Sequence, residues 1–102
     1  MSAEARHAWW REQGYDELRD LLNEWDPIGV MSEPDWPTNE YDAMLAPLRE
    51  QLDEGATAGE LEVFLERHVR EYIGLEPDVD REARLAARLV EWYAARSGQP
   101  PR

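Results

Sequence analysis

Apolar residues recur along this chain at helical spacing, and four separate stripes can be traced. Leu18, Leu21, Leu22 and Trp25 follow the i, i+3, i+4, i+7 pattern of one buried helix face, and Tyr15 extends it by a turn toward the N-terminus. The spacing predicts helix over 3–25. Ala8, Trp9 and Trp10 fall where the pattern is weak. Gly14 costs about 1 kcal/mol relative to Ala inside a helix and marks the place where this segment can divide in two. Pro27 ends the run, because the residue before a proline is pushed out of the α region.

Tyr41, Met44, Leu45, Leu48 and Leu52 predict a second helix over about 40–54, with Thr38 or Asn39 as cap and Gly55 as stop. Pro47 lies inside that pattern. Either the helix kinks there or a first turn precedes a helix that begins near Ala46. Thr57 and Glu60 then form a capping box, followed by a third stripe of Leu61, Phe64, Leu65, His68, Val69 and Tyr72 and a stop at Gly74. A fourth helix is expected over about 79–96, with Leu85, Ala86, Leu89, Val90, Trp92 and Tyr93 on its apolar side.

Strand signals are nearly absent, since β-branched residues are few and do not alternate. The expected fold is all-α, a small bundle of about four helices in one domain over 1–96, with a disordered tail over 97–102. Residues 26–38 contain three of the seven prolines, yet also Ile28, Val30, Met31 and Trp36. That is too apolar for a solvated linker and predicts a long ordered loop after the first main helix. Loops of this length in compact domains are usually functional or mobile.

Composition narrows the classes of function. A chain of 102 residues suits one hydrophobic core, and five Trp, four Tyr and one Phe supply much of it. Cysteine is absent, which excludes disulfides, thiolate zinc sites and iron–sulfur clusters. All eleven basic residues are Arg, which together with frequent Ala looks like the codon usage of a GC-rich bacterial genome. No apolar run approaches membrane-spanning length and no signal-peptide segment is evident, so a cytoplasmic protein is expected. The net charge of −12 counts against nucleic acid and anionic membranes, which are both bound largely through basic groups.

Catalytic constellations are missing from the pattern, and no enzymatic activity or cofactor is expected. The three serines are Ser2, Ser32 and Ser97, and the two histidines are His7 and His68, with His68 on an apolar helix face. Nothing there composes a nucleophile, a base and an orienting group. Asp26, Glu33, Asp35, Glu40 and Asp42 gather around one loop, but their spacing matches no EF-hand, and no metal site is assigned.

Charge distribution says more. Residues 33–66 hold ten acids and one base, Arg49, whereas residues 67–102 hold seven Arg against six acids. One reading is a solubilising face. The other is a surface complementary to a basic protein, with Trp36 as anchor and Glu40, Asp42, Glu50, Asp53 and Glu54 as its charges. A rival from another class is a small-molecule or metal-binding domain that uses a pocket around the 26–42 loop. Trp9 and Trp10, outside the periodic stripes, are also candidates for self-association.

The most distinctive string is Asn23-Glu24-Trp25-Asp26-Pro27-Ile28-Gly29-Val30, followed by Asn39-Glu40-Tyr41-Asp42. It resembles the YugE-like family of small bacterial helical proteins of unknown function, over roughly residues 18–92. The departures are Asn39, where the family has an acid, and the extra Trp36. The resemblance implies an all-α fold and no settled activity. More loosely, the chain is similar to the small acidic immunity proteins that neutralise toxins in bacterial competition. The residues of the motif (Trp25, Asp26, Pro27, Gly29 and Tyr41) also read physically as a helix exit. Trp plugs the core, Asp caps backbone groups, Pro stops the helix and Gly permits a sharp turn. Whether the motif is structural or recognises a partner stays open in the sequence.

Overall fold

The computed structural model describes residues 2–97, without the side chain of Ser97. Beyond Ser97, the expected disordered tail lies outside the described residues. Contacts group the chain into two units that divide between Arg49 and Glu50. Among the described residues there is no strand, and no helix is long and apolar enough to cross a membrane.

In the first unit the Ser2 hydroxyl accepts the Ala5 N–H at 3.1 Å and caps helix α1, Ala3–Trp9. The chain then passes through a π-helical turn, Trp10–Gly14, into α2, Tyr15–Trp25. Gly14 does not break the helix. A Cβ on it would stand 2.6 Å from Trp10 Cε3 and 2.9 Å from Trp9 Cζ3, so the glycine is what lets two indoles lie against the backbone. The π turn also explains why the periodic pattern passed over Trp10. An uninterrupted α-helix extrapolated back from Leu18 and Leu22 would put Arg11 on the core face. The Tyr15 N–H instead bonds the Trp10 carbonyl, five residues back, and the widened turn brings Trp10 inward. Trp10 is wholly buried and Arg11 is exposed. Trp10 is therefore a core residue, and of the two indoles only part-exposed Trp9 reaches the surface of this helix for self-association.

Leu18, Leu21, Leu22 and Trp25 are buried as the stripe predicts. Arg49 bridges the two sides of the π turn. Its guanidinium donates to the Tyr15 hydroxyl at 2.8 Å, lies 3.1 Å from His7 Nδ1, and sits 5.6 Å from the ring centroids of both Trp10 and Tyr15.

A 3-10 turn, Asp42–Met44, leads into α3, Leu45–Asp53, which carries the chain across the division. This resolves the Pro47 question. Pro47 falls in the first turn of α3, where a missing N–H costs least, and no kink is needed. Neither Thr38 nor Asn39 caps the helix by its side chain; both belong to the preceding turns, and the Asn39 carbonyl accepts the Asp42 N–H.

In the second unit Thr57 and Glu60 make both halves of the capping box at the start of α4, Ala58–His68. A second π turn, Val69–Ile73, extends it, and the N–H groups of Gly74 and Leu75 both reach the Val69 carbonyl. Gly74 adopts φ 81°, the left-handed conformation glycine tolerates best. This turn again shifts the phase of the stripe. Tyr72, expected in the core, is 78% exposed, while Ile73 is half-buried.

Helix α5, Val79–Ser97, packs on α4 and buries Leu85, Ala86, Leu89 and Tyr93. Its first turn is held by two carboxylates. Asp78 Oδ1 accepts the Arg81 N–H, and Glu82 Oε2 accepts the Asp78 N–H at 2.6 Å. Glu82 has no solvent exposure, and the Arg81 guanidinium meets both of its oxygens. No pattern in the sequence marks it as buried.

Candidate functional site

The 26–41 segment leaves α2 and returns to the same neck. Asp26 takes a left-handed conformation, φ 39°, which Asp tolerates better than most residues. That turn aims its carboxylate into the loop. Oδ1 accepts the N–H groups of Gly29 and Val30 at 3.1 Å each, and Oδ2 accepts the Met31 N–H at 3.0 Å. The Tyr41 hydroxyl donates to Oδ1 at 2.6 Å and accepts the Ile28 N–H at 3.2 Å. Tyr41 also lies against Trp25, with ring centroids 5.8 Å apart. At the same neck Asn23 Nδ2 donates to the Thr38 carbonyl at 2.9 Å. The result is an Ω-like loop, tied at its base and turned on itself along its outer stretch, where the Glu33 N–H bonds the Val30 carbonyl and the Trp36 N–H bonds the Glu33 carbonyl.

Electrostatics follow from this geometry. Burial alone would push the Asp26 carboxyl up. The Tyr41 hydroxyl and the three backbone N–H groups outweigh it and hold the group below the ordinary carboxylate range. Burial, reinforced by the bond to Asp26, pushes the Tyr41 phenol well above its ordinary value. An ionised Asp26 and a neutral Tyr41 therefore form a brace. With its lone pairs spent on four donors, Asp26 has little left for proton transfer or for a cation.

The motif residues Trp25, Asp26, Pro27, Gly29 and Tyr41 thus converge in one place. Trp25, Pro27 and Tyr41 are buried, and Gly29, at φ 78°, makes the turn under the Asp26 carboxylate. The helix-exit reading of the motif is what this geometry displays.

The charged candidates separate into two groups. Asp42 is engaged: Arg19 Nε and Nη2 donate to its two oxygens at 2.9 and 3.0 Å. That bidentate pair is also the main reason the Arg19 guanidinium is held above its ordinary value. Asp53 accepts the Tyr93 hydroxyl at 2.6 Å. Both residues brace their own units. Glu33, Asp35 and Glu40 are exposed along the loop, and Glu50 and Glu54 are exposed one turn apart at the end of α3. Trp36 is 42% exposed, and its indole N–H is held by Glu40 Oε2 at 3.0 Å.

A pocket lined by Trp25, Asp26, Trp36, Tyr41 and Asp42 would have supported small-molecule or metal binding. Instead Trp25 and Tyr41 fill the core, while Asp26 and Asp42 are bonded within the protein. Among the described residues no group of three or more His, Asp or Glu is placed to hold a metal ion.

Sequence reasoning missed Arg19 and Arg49, whose partners lie 23 and 34 residues away. No family model, curated protein or solved structure matches this chain, so its likeness to the YugE-like family rests on the residues that suggested it.

Proposed function

We propose that this chain is a protein-interaction module that offers the 28–40 loop to a basic protein. The observation that carries the reading is Trp36. A large indole, 42% exposed, stands on a loop fixed at its base, with its N–H occupied by Glu40 and the carboxylates of Glu33 and Asp35 exposed nearby in the chain. An aromatic held in advance loses little conformational entropy on docking, and Trp is enriched among residues that dominate binding energy. With the N–H occupied, the ring offers a partner its apolar face, which suits an aliphatic side chain or an Arg or Lys placed over the π system. The acidic loop steers such a partner in. Neutralisation of a basic toxin is the most concrete form of this function.

The product of the gene adjacent to this one is the first partner to test, by stopped-flow binding at several salt concentrations. Trp36→Ala is expected to speed dissociation. Changing Glu33, Asp35 and Glu40 together to Gln is expected to slow association several-fold, with the salt dependence reduced in proportion. Association that ignores both salt and these charges would return the loop to a solubilising role.

A further inference from the structure

Helix α4 carries an apolar strip that remains open to solvent. Val63 is 56% exposed and Phe64 is half-buried, and together with Gln51, Glu60 and Arg67 they line an open groove of about 340 Å³. Glu60, Val63, Phe64 and Arg67 stand at i, i+3, i+4 and i+7, so they share one helix face over two turns. Their order has a symmetry. An acid closes one end and a base the other, each about 5 Å along the axis from a midpoint between the two apolar residues, at 1.5 Å rise per residue. Reversing the helix direction about that midpoint exchanges Glu60 with Arg67 and Val63 with Phe64. Such a face is complementary to itself, which is the requirement of a two-fold interface.

We propose that this face pairs with the same face of a second copy, α4 antiparallel to α4. Glu60 of each copy meets Arg67 of the other, and Val63 of each enters the groove beside Phe64 of the other. The charge pattern selects this occupant, because a uniformly basic or acidic partner would leave one end of the strip facing a like charge. The net charge of −12 per chain opposes association at long range, so the dimer is weak and is to be sought from micromolar to millimolar protein.

Sedimentation equilibrium of the full chain tests this surface independently of the Trp36 loop. The expected result is a monomer–dimer equilibrium that Val63→Glu weakens by about tenfold or more. Arg67→Glu and Glu60→Arg each weaken it similarly, because each places like charges opposite one another. An equimolar mixture of those two variants regains association, since every contact between positions 60 and 67 again joins opposite charges. Far-ultraviolet circular dichroism checks that Glu60→Arg keeps its helix without the capping box. Val63→Glu and Arg67→Glu, at exposed positions away from the cap, decide the question even where it does not. A chain that stays monomeric throughout, a dimer indifferent to Val63→Glu, or a mixture that fails to recover from two folded variants overturns the proposal.

Discussion

The Tyr41 hydroxyl donates to Asp26 Oδ1 at 2.6 Å across fifteen residues of chain, and this bond closes the loop that carries Trp36. Around it, one carboxylate accepts three backbone N–H groups of a tight turn, of which Gly29 also bonds the Asp26 carbonyl. Asp26→Ala removes all four bonds and places a residue less tolerant of the left-handed region at φ 39°. We expect a loss of about 2–4 kcal/mol, against about 1–2 kcal/mol for Tyr41→Phe, which leaves the three backbone bonds intact. Urea midpoints of the two variants check the order. Equal losses would mean that the backbone bonds contribute little.

Acid should loosen the same loop. The folded state holds the Asp26 carboxyl below its ordinary value of about 3.9, so the unfolded chain takes up the proton more readily. The stability this group provides is in place above that ordinary value and is lost as pH falls through the lower, folded value. Amide exchange at Met31, followed against pH, is expected to accelerate in that window. Asp26→Asn should remove this part of the pH dependence, and an unchanged profile in that variant would assign the acid sensitivity to other carboxylates.

Gly14→Ala is expected to reverse its usual sign. In an ordinary helix interior the change gains up to about 1 kcal/mol. Here the new methyl would collide with Trp10, which is wholly buried and has no room to retreat. A loss of about 1–3 kcal/mol follows, as for other overpacked sites. A raised melting temperature would show that the two indoles can be repacked.

Glu82 is the buried charged residue at the start of α5, and its carboxylate holds both the Asp78 N–H and the Arg81 guanidinium. Glu82→Ala is expected to cost about 2–4 kcal/mol, because it strips an interior hydrogen-bond acceptor and removes both bonds that the Arg81 guanidinium makes to it. Glu82→Gln preserves the shape and one acceptor oxygen and should cost less. Thermal unfolding of both variants, with helix content measured before melting, checks the order.

What could be read in the sequence was whatever repeats locally. The stripe of Leu18, Leu21, Leu22 and Trp25, the Thr57–Glu60 capping box and the Gly74 stop each depend on residues within two turns of one another, and each stands in the structure as expected. What escaped was of two kinds. Trp10 and Tyr72 were misplaced because each lies in a π turn, and an extrapolation at 3.6 residues per turn loses phase there. Asp26–Tyr41, Arg19–Asp42 and Arg49–Tyr15 escaped as pairs because polar partners distant in the chain leave no period to follow. The candidate site was half legible on the same grounds. Trp36 stood out as an apolar residue in a proline-rich loop, whereas the engagement of Asp42 and Asp53 depends on Arg19 and Tyr93, far away along the chain.

The turn over Trp10–Gly14 holds, in effect, one residue more than an α-helix would need to cover the same advance. A gene that lost the codon for Gln13 could still encode a continuous helix from Ala3 to Trp25, since the segment would close into ordinary α geometry. That deletion would be rotationally silent, because Trp10 would then stand seven residues before Leu18, the core-facing position of an unbroken α-helix, with Arg11 still outside. The rotational cost belongs to the opposite change. A chain that kept Gln13 but closed this turn into ordinary α geometry would swing everything ahead of it by about 100° around the axis, the angle of one residue. Trp10 would turn away from the interior, Arg11 would turn toward it, and the Arg49 guanidinium would lose the ring it lies against. The extra residue, and not its loss, is what obliges the helix to stay widened here.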